Sequence, residues 1–407
     1  MRYIRLVPAF VLIVYSLSCV SRGNNQRPAN AGSAEVTAIL RSVPALLNEE
    51  THPAVEGVET KIKGKAGTLF EFKHAQFVNE NHGWAMSERS LYRTADGGKT
   101  WERMLQEPET DASFSAFFFI NESRGWLTSV KRAYSEQYGL GNSSVIMVTD
   151  DGGHSWKPQT SFPNEVEINA IRFSNEHEGL AVGAHIIDGK PPYDELLVLK
   201  TSNGGKNWNN ISEAAKTAIK DENGFPSDSG KHIEWTPSFV LLLTRYGRIL
   251  NTTDDGKTWK LVATLKRERP QGVVFSSGYI RLALDPKQRI RVIAAGSGGD
   301  YVGDFVVHDD GHWKSYETTL TPILDALFLS DNEVLACGLN RRPADEKPND
   351  RLKDAGVILR SFDSGKSWQS IYRSKSYETF FFLTKVSDND FYAVSDIGTF
   401  LRFRLPQ

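Results

Sequence analysis

The chain has 407 residues, 40% of them apolar and 24% charged, with a formal net charge of −2. That apolar share can fill a large core, and the near-neutral balance argues against a nucleic-acid partner held by a basic surface. Cys19 and Cys337 are the two cysteines, so no disulfide framework is available and the fold must be held by packing.

The N-terminus reads MRYIRLVPAFVLIVYSLSC, with Arg2 and Arg5 ahead of the apolar run Leu6–Leu17 and small residues before Cys19. This pattern predicts a secretory signal over residues 1–18, too short to span a bilayer. Two processing routes compete for one bond. Ser16 and Ser18 suit ordinary signal-peptidase cleavage, whereas Leu17-Ser18-Cys19 resembles a lipobox, with Ser16 where bacterial lipoproteins usually carry Leu. The polar stretch after Cys19, VSRGNNQRPANAGS, has the composition of a flexible tether. The expectation is therefore lipidation at Cys19, a tether over 19–34, and residence at the cell envelope, anchored to a membrane through that lipid alone. Val20 after the cysteine suggests outer-membrane sorting in a Gram-negative cell; a secreted or periplasmic soluble protein is the alternative.

Residues 35–54 come next, expected to be helical or irregular, because Glu35–Leu47 (EVTAILRSVPALL) shows a helical period. Beyond them a short phrase returns six times: TADGGKTW, TDDGGHSW, TSNGGKNW, TTDDGKTW, VHDDGHW and SFDSGKSW. Its tryptophans, Trp101, Trp156, Trp208, Trp259, Trp313 and Trp368, lie 55, 52, 51, 54 and 55 residues apart. So steady a period signals a repeat architecture. Each phrase sits between β-type runs, such as SVIMVT and WKPQ, and its Asp-Gly-Gly core is hairpin chemistry. Two further strands precede each hairpin, as in SFSAFFFINESRGWLTS. One unit is thus four antiparallel strands, the blade of a β-propeller. Ser212–Ile219 is the one helical stretch expected within these units.

A seventh unit, Tyr377–Leu405, lacks an outer strand. Val55–Lys63 (VEGVETKIK) alternates correctly and is expected to supply it, closing a seven-bladed, all-β ring over residues 55–407. Six or eight blades are the alternatives. The box tryptophans are expected to be largely buried.

The phrase Ser/Thr-x-Asp-x-Gly-x-Ser/Thr-Trp resembles the Asp-box, or bacterial neuraminidase repeat. The match is full around Asp96, Asp151, Asp254 and Asp363, and degraded at Asn203 and before Trp313. Among Asp-box families the chain is most similar to the photosystem II stability/assembly-factor-like propellers. Those join the box to a preceding Gly-Trp-Ala-type strand, here Gly83-Trp84-Ala85, Gly125-Trp126-Leu127 and Gly179-Leu180-Ala181. The resemblance covers roughly residues 66–405. It implies a structural role for the boxes, away from any active centre, and no cofactor or metal.

Strand order decides which loops share a face. Turns between first and second strands lie with the boxes; turns between second and third strands lie on the other face, with the blade-to-blade links. Every long loop falls in that second class: Val130–Ser143, Ile186–Glu195, Asn340–Asp354 and Ser212–Lys231. Loop elaboration on one face marks it as the binding face. Arg132, Tyr134, Tyr138, Tyr193, Arg341 and Arg342 lie in those loops as candidate anchors.

The leading reading is a non-catalytic exported propeller, expected to be a monomer, that binds a protein or assists complex assembly. The rival is a glycoside hydrolase or a carbohydrate-binding propeller. Sialidases carry a Phe/Tyr-Arg-Ile-Pro phrase, and the nearest strings here, Tyr92-Arg93 and Tyr246-Gly247-Arg248, sit in ordinary hairpins. His308-Asp309-Asp310-Gly311-His312 offers ligand-type side chains, but at a box turn.

Overall fold

In the computed structural model of the protein, seven antiparallel sheets stand as blades around one axis. The structure describes residues 37–40, 42–44, 46–48, 57–61 and 72–405, less 110, 136–138, 163–164, 188–193, 222–223, 225, 270–271, 275–278, 296–302, 310–311, 319–322, 341–354 and 376–377. The inner strands, in blade order, are Phe72–Phe77, Ala112–Phe119, Val166–Phe173, Gly230–Trp235, Tyr279–Leu284, Ile323–Phe328 and Phe380–Lys385. Neighbouring inner strands touch in a closed cycle, and blade 7 returns to blade 1.

The closure is as the sequence predicts. Gly57–Lys61 lies antiparallel to Thr399–Phe403 as the outer strand of blade 7, with Glu59 opposite Leu401 and Val58 opposite Arg402. Chain start and chain end thus share one sheet, which leaves the ring no free blade.

The helix expected over Glu35–Leu47 is not formed. Instead three short strands, Thr37–Leu40, Ser42–Pro44 and Leu46–Asn48, pair in parallel with the outer strands of blades 4, 5 and 6 in turn. Pro44 is unsuited to a helix interior but tolerated at a sheet edge. Three exposed strand edges gain ladder partners in exchange. The second helix does form, over Ser212–Ile219, and buries Ala215 and Ile219 against Val198 and Leu250 of blades 3 and 4. It takes over the cover that blade 3 lacks, since the outer strand there is only Asn209–Asn210.

The boxes form one repeated hydrogen-bond circuit. In blade 2, Thr149 Oγ1 donates to Asp151 Oδ1 at 2.7 Å, and Asp151 accepts from Ser155 N at 2.9 Å and Ser155 Oγ at 2.5 Å. Gly153 N closes the circuit onto Thr149 Oγ1 at 2.9 Å, and Gly152 and Gly153 hold φ of 73° and 96°, a region open to glycine at no steric cost. The same pattern recurs around Asp96, Asp254 and Asp363. Asn203 keeps the Thr201 bond and the amide bond from Asn207. Hydroxyl and amide donors hold the Asp254 carboxyl down at about 2 and lower Asp151 as well, Thr258 and Ser155 contributing most. These carboxylates are spent on their own turns.

Burial of the box tryptophans differs from expectation. Trp259 and Trp368 are buried, but Trp101, Trp156, Trp208 and Trp313 are only half-buried. They open the outer strand, at the rim, where one flank meets solvent. Fully buried indoles are Trp368 in its box and Trp84 and Trp126 on second strands. Trp126 stacks on Phe173 of blade 3 at 3.5 Å between ring centroids and donates Nε1–H to Gly204 O of the blade 3 box at 3.0 Å. Trp84 does the same with Phe119 and Gly152 of blade 2. Tyr392 of blade 7 stacks on Phe77 and donates its hydroxyl to Gly97 O of blade 1. The glycine before Trp126 is required: a Cβ on Gly125 would lie 2.5 Å from the Phe119 ring. The Gly-Trp strand and the box are therefore two halves of a clamp between adjacent blades.

Candidate functional site

Each inner strand carries a register shift near its start, and the seven shifts fall at equivalent places. The residues the ladder register skips are Lys73, Ser115, Asn169, Lys231, Ile280, Leu324 and Phe381. A bulge of this kind re-aims side chains and recurs beside functional sites. Here seven of them form a ring around the axis. An inner strand begins at the blade-to-blade link, so the ring lies toward the long-loop face.

Alternation along the strands then sorts the next positions. The first after the bulge (His74, Ala116, Ala170, His232, Arg281, Asp325, Phe382) faces the axis. The second (Ala75, Phe117, Ile171, Ile233, Leu282, Ala326, Leu383) is buried in the blades. The third faces the axis again and includes Arg172 and Glu234. The first set, with Phe117 and Arg172, lines an axial cavity of about 170 Å³.

The cavity is two-sided. Phe117, Leu324, Phe381 and Phe382 give blades 2, 6 and 7 an apolar wall, while blades 3 to 5 present Asn169, Arg172, Lys231, His232 and Arg281. Most of the charge is internally matched. Arg281 pairs with Asp325. Asp325 also accepts from Ala326 N and Leu383 N, both at 2.9 Å, which ties blades 5, 6 and 7 together. Burial pushes the Asp325 carboxyl above its usual range, against the pull of Arg281 and those amides. His232 Nε2 and Glu234 Oε1 lie 3.0 Å apart. Burial works to raise Glu234, yet His232, Arg172 and Arg281 hold it below the ordinary value. Arg172 forms no ion pair among the described residues; its guanidinium lies 5.2 Å over the Phe118 ring. Burial draws it below its ordinary value, with Glu234 opposing.

His74 sits beside Phe117 at 5.0 Å and Phe382 at 6.2 Å between ring centroids. Burial lowers its pKa well below the ordinary value, and Arg172, Arg281 and His232 add to the effect. His232 is lowered too, chiefly by burial. Unfolded histidines take up protons near pH 6.5, whereas these two stay neutral to lower pH when folded. The unfolded state thus binds more protons, and stability should fall as pH drops below about 6.5. Melting temperatures from pH 7.5 to 5 should show this decline, and His74→Phe should flatten it; a pH-independent melting temperature removes the effect.

Of the residues singled out from the sequence, Arg132 and Tyr134 lie in the second strand of blade 2, Gly125–Ser135. Tyr138, Tyr193, Arg341 and Arg342, like Cys19 and the tether, lie outside the described residues. Of the His308 cluster, His308 pairs with Trp313 and Asp309 with His312 in antiparallel strands, the His308 and Trp313 ring centroids lying 4.5 Å apart. No group of metal-ligating side chains is found among the described residues. Sequence reasoning missed the axial ring. A signal was present: Arg172, His232, Arg281 and Asp325 are ionisable residues next to the core residues Ile171, Ile233, Leu282 and Ala326 of the first strands.

Comparison with known proteins agrees with this architecture. Residues 132–316 match the family model described as "Photosynthesis system II assembly factor YCF48". The chain is 23% identical over 346 residues to "Photosystem II assembly protein Ycf48" of Thermosynechococcus vestitus, covering 74% of this chain and 84% of that protein. It is 21% identical over 352 residues to "Photosystem II stability/assembly factor HCF136, chloroplastic" of Arabidopsis thaliana, covering 74% and 79%. Among solved structures, "YCF48 bound to D1 peptide" superposes with a TM-score of 0.57 at 18% identity, covering 90% of this chain and all of that one. The GH74 xyloglucanase of Xanthomonas campestris superposes at 0.56 with 12% identity, covering 86% and 54%, a likeness of fold alone. The chain is thus a seven-bladed Asp-box β-propeller, similar to the photosystem II stability/assembly-factor-like family.

Proposed function

We propose that this chain is a non-catalytic propeller that binds a segment of a protein partner at the axial mouth and so assists assembly of a complex at the cell envelope. The observation that carries the reading is the ring of seven aligned bulges around one cavity, since bulges re-aim side chains beside functional sites. The relatives support it: two are named as photosystem II assembly proteins, and one solved structure holds a D1 peptide. Fold alone does not give function, so the site's chemistry matters more. A glycosidase generally needs two carboxylates flanking the scissile bond. Here Asp325 is bound by Arg281 and two backbone amides, and Glu234 is bound by His232. Asp325, the carboxylate that lines the cavity, and the nearby Glu234 both serve structure, which disfavours the hydrolase reading.

Export follows from the signal-like N-terminus, with Cys19 as the lipid anchor and the propeller working as a monomer. Arg132 and Tyr134, in the second strand of blade 2, remain the candidate anchors of partner choice among the described residues, with Tyr138, Tyr193, Arg341 and Arg342 proposed from the sequence alone.

Two exposed aromatic residues allow a direct test. Phe381 sits at the bulge of blade 7 beside the cavity, and Phe362 sits in the box of blade 6 on the opposite face. A photo-crosslinking phenylalanine analogue at position 381 should trap a defined protein in cells, and the same analogue at 362 should not. Adducts at 362 alone would overturn the choice of face; adducts at neither would remove the protein-binding reading.

A further inference from the structure

The cavity's composition says more about what enters it, given the reading above that a partner segment is bound there. Its cations and anions do not cancel locally. Arg281 is committed to Asp325 and His232 to Glu234, while Arg172 makes no ion pair among the described residues. An arginine set inside a cavity, with a ring at its back and Glu234 acting on it only from beyond ion-pair distance, keeps its donors available. Leaving such a group desolvated is costly unless an anion arrives. Guanidinium geometry favours a planar, bidentate acceptor, which a carboxylate offers.

Across the cavity stands the apolar wall of Phe117, Leu324 and Phe382, with Phe381 exposed at its edge. A void of about 150 Å³ accommodates one benzene ring, so about 170 Å³ suits one aromatic or branched side chain. A cationic wall facing an apolar wall at that scale requires both characters in a single small unit.

We propose that the axial cavity recognises an apolar group directly adjacent to a free carboxylate, with Arg172 holding the carboxylate and the Phe117–Leu324–Phe382 wall holding the apolar group. The last residue of a polypeptide, when apolar, has this chemistry, and so does a free arylalkanoic acid. Asn169 and Lys231, both at bulge positions of the polar wall, line the same cavity, Asn169 donating Nδ2–H to Gly230 O at 3.2 Å.

The test uses the full propeller and N-terminally fluorescein-labelled Gly-Ser-Gly-Ser-Phe. Three probes are compared by anisotropy: the free acid, its C-terminal amide, and a free acid ending in Ser. The free acid ending in Phe should bind, and amidation or loss of the ring should each weaken binding at least about tenfold. Arg172→Gln should weaken the free acid by the same factor and abolish the difference between acid and amide. Unlabelled 3-phenylpropionate identifies the source: competition as strong as the peptide's own assigns a small acid, and weak competition assigns a chain end. Equal binding of acid and amide, or an unchanged Arg172→Gln, would overturn the proposal. If Arg172→Gln fails to fold, the acid–amide comparison in the wild type still decides. Should all three probes fail while position 381 still crosslinks a protein, this inference falls and the protein-binding reading stands. Failure of both removes both.

Discussion

Replacing Trp126 with Ala is expected to destabilise the propeller by about 3–5 kcal/mol, the range for truncating a fully buried aromatic. The indole is lost together with three contacts, the first two of which cross a blade boundary. These are the stack on Phe173, the bond to Gly204 O and the Arg124 guanidinium 5.1 Å above the ring. Trp156→Ala should cost less, because the box tryptophan is half-buried and its ring meets Phe119 only edge-on, at 5.9 Å between centroids. Denaturant titration of the two variants ranks them. A larger loss for Trp156→Ala would show that the boxes, not the second-strand clamps, join the blades.

Deleting residues 1–61 should be more damaging still. It removes the outer strand of blade 7 and exposes the edge at Thr399–Phe403, along with the parallel strands on blades 4 to 6. An open ring leaves unpaired N–H and C=O groups in a row, a template for aggregation. Loss of a cooperative transition and growth of high-mass species in size-exclusion chromatography are expected. A second deletion, of residues 1–48, separates the two contributions: it keeps Gly57–Lys61 and should fold, with a lower melting temperature. If the 1–61 deletion melts like the full chain, the N-terminal strand does not lock the ring.

These two expectations rest on features of unequal legibility. The boxes, their period, the blade count and the closing strand could be read from the sequence because each is local or periodic. Asp-Gly-Gly before Ser/Thr-Trp specifies a hairpin within eight residues, and Val55–Lys63 alternates as an edge strand must. The same local reasoning misled over Glu35–Leu47. Its apolar spacing fits a helix, but the segment meets three sheet edges that no local pattern reveals. It also misplaced the buried tryptophans, since solvent access at Trp156 depends on the rim of the ring, whereas Trp126 faces the next blade.

The sequence by itself determined the unit and the number of units, for these follow from chain order and turn chemistry. Only the tertiary structure decided the site. His74, Arg172, His232, Arg281, Asp325 and Phe382 come from six blades and are brought to one axis by the closure of the ring. Whether a charge there is matched depends on neighbours far off in the chain: Arg281 finds Asp325 44 residues away, and Arg172 finds no carboxylate to pair with among the described residues. That difference is one of angle and distance between blades, which rigid packing sets and which the order of residues in a strand does not encode.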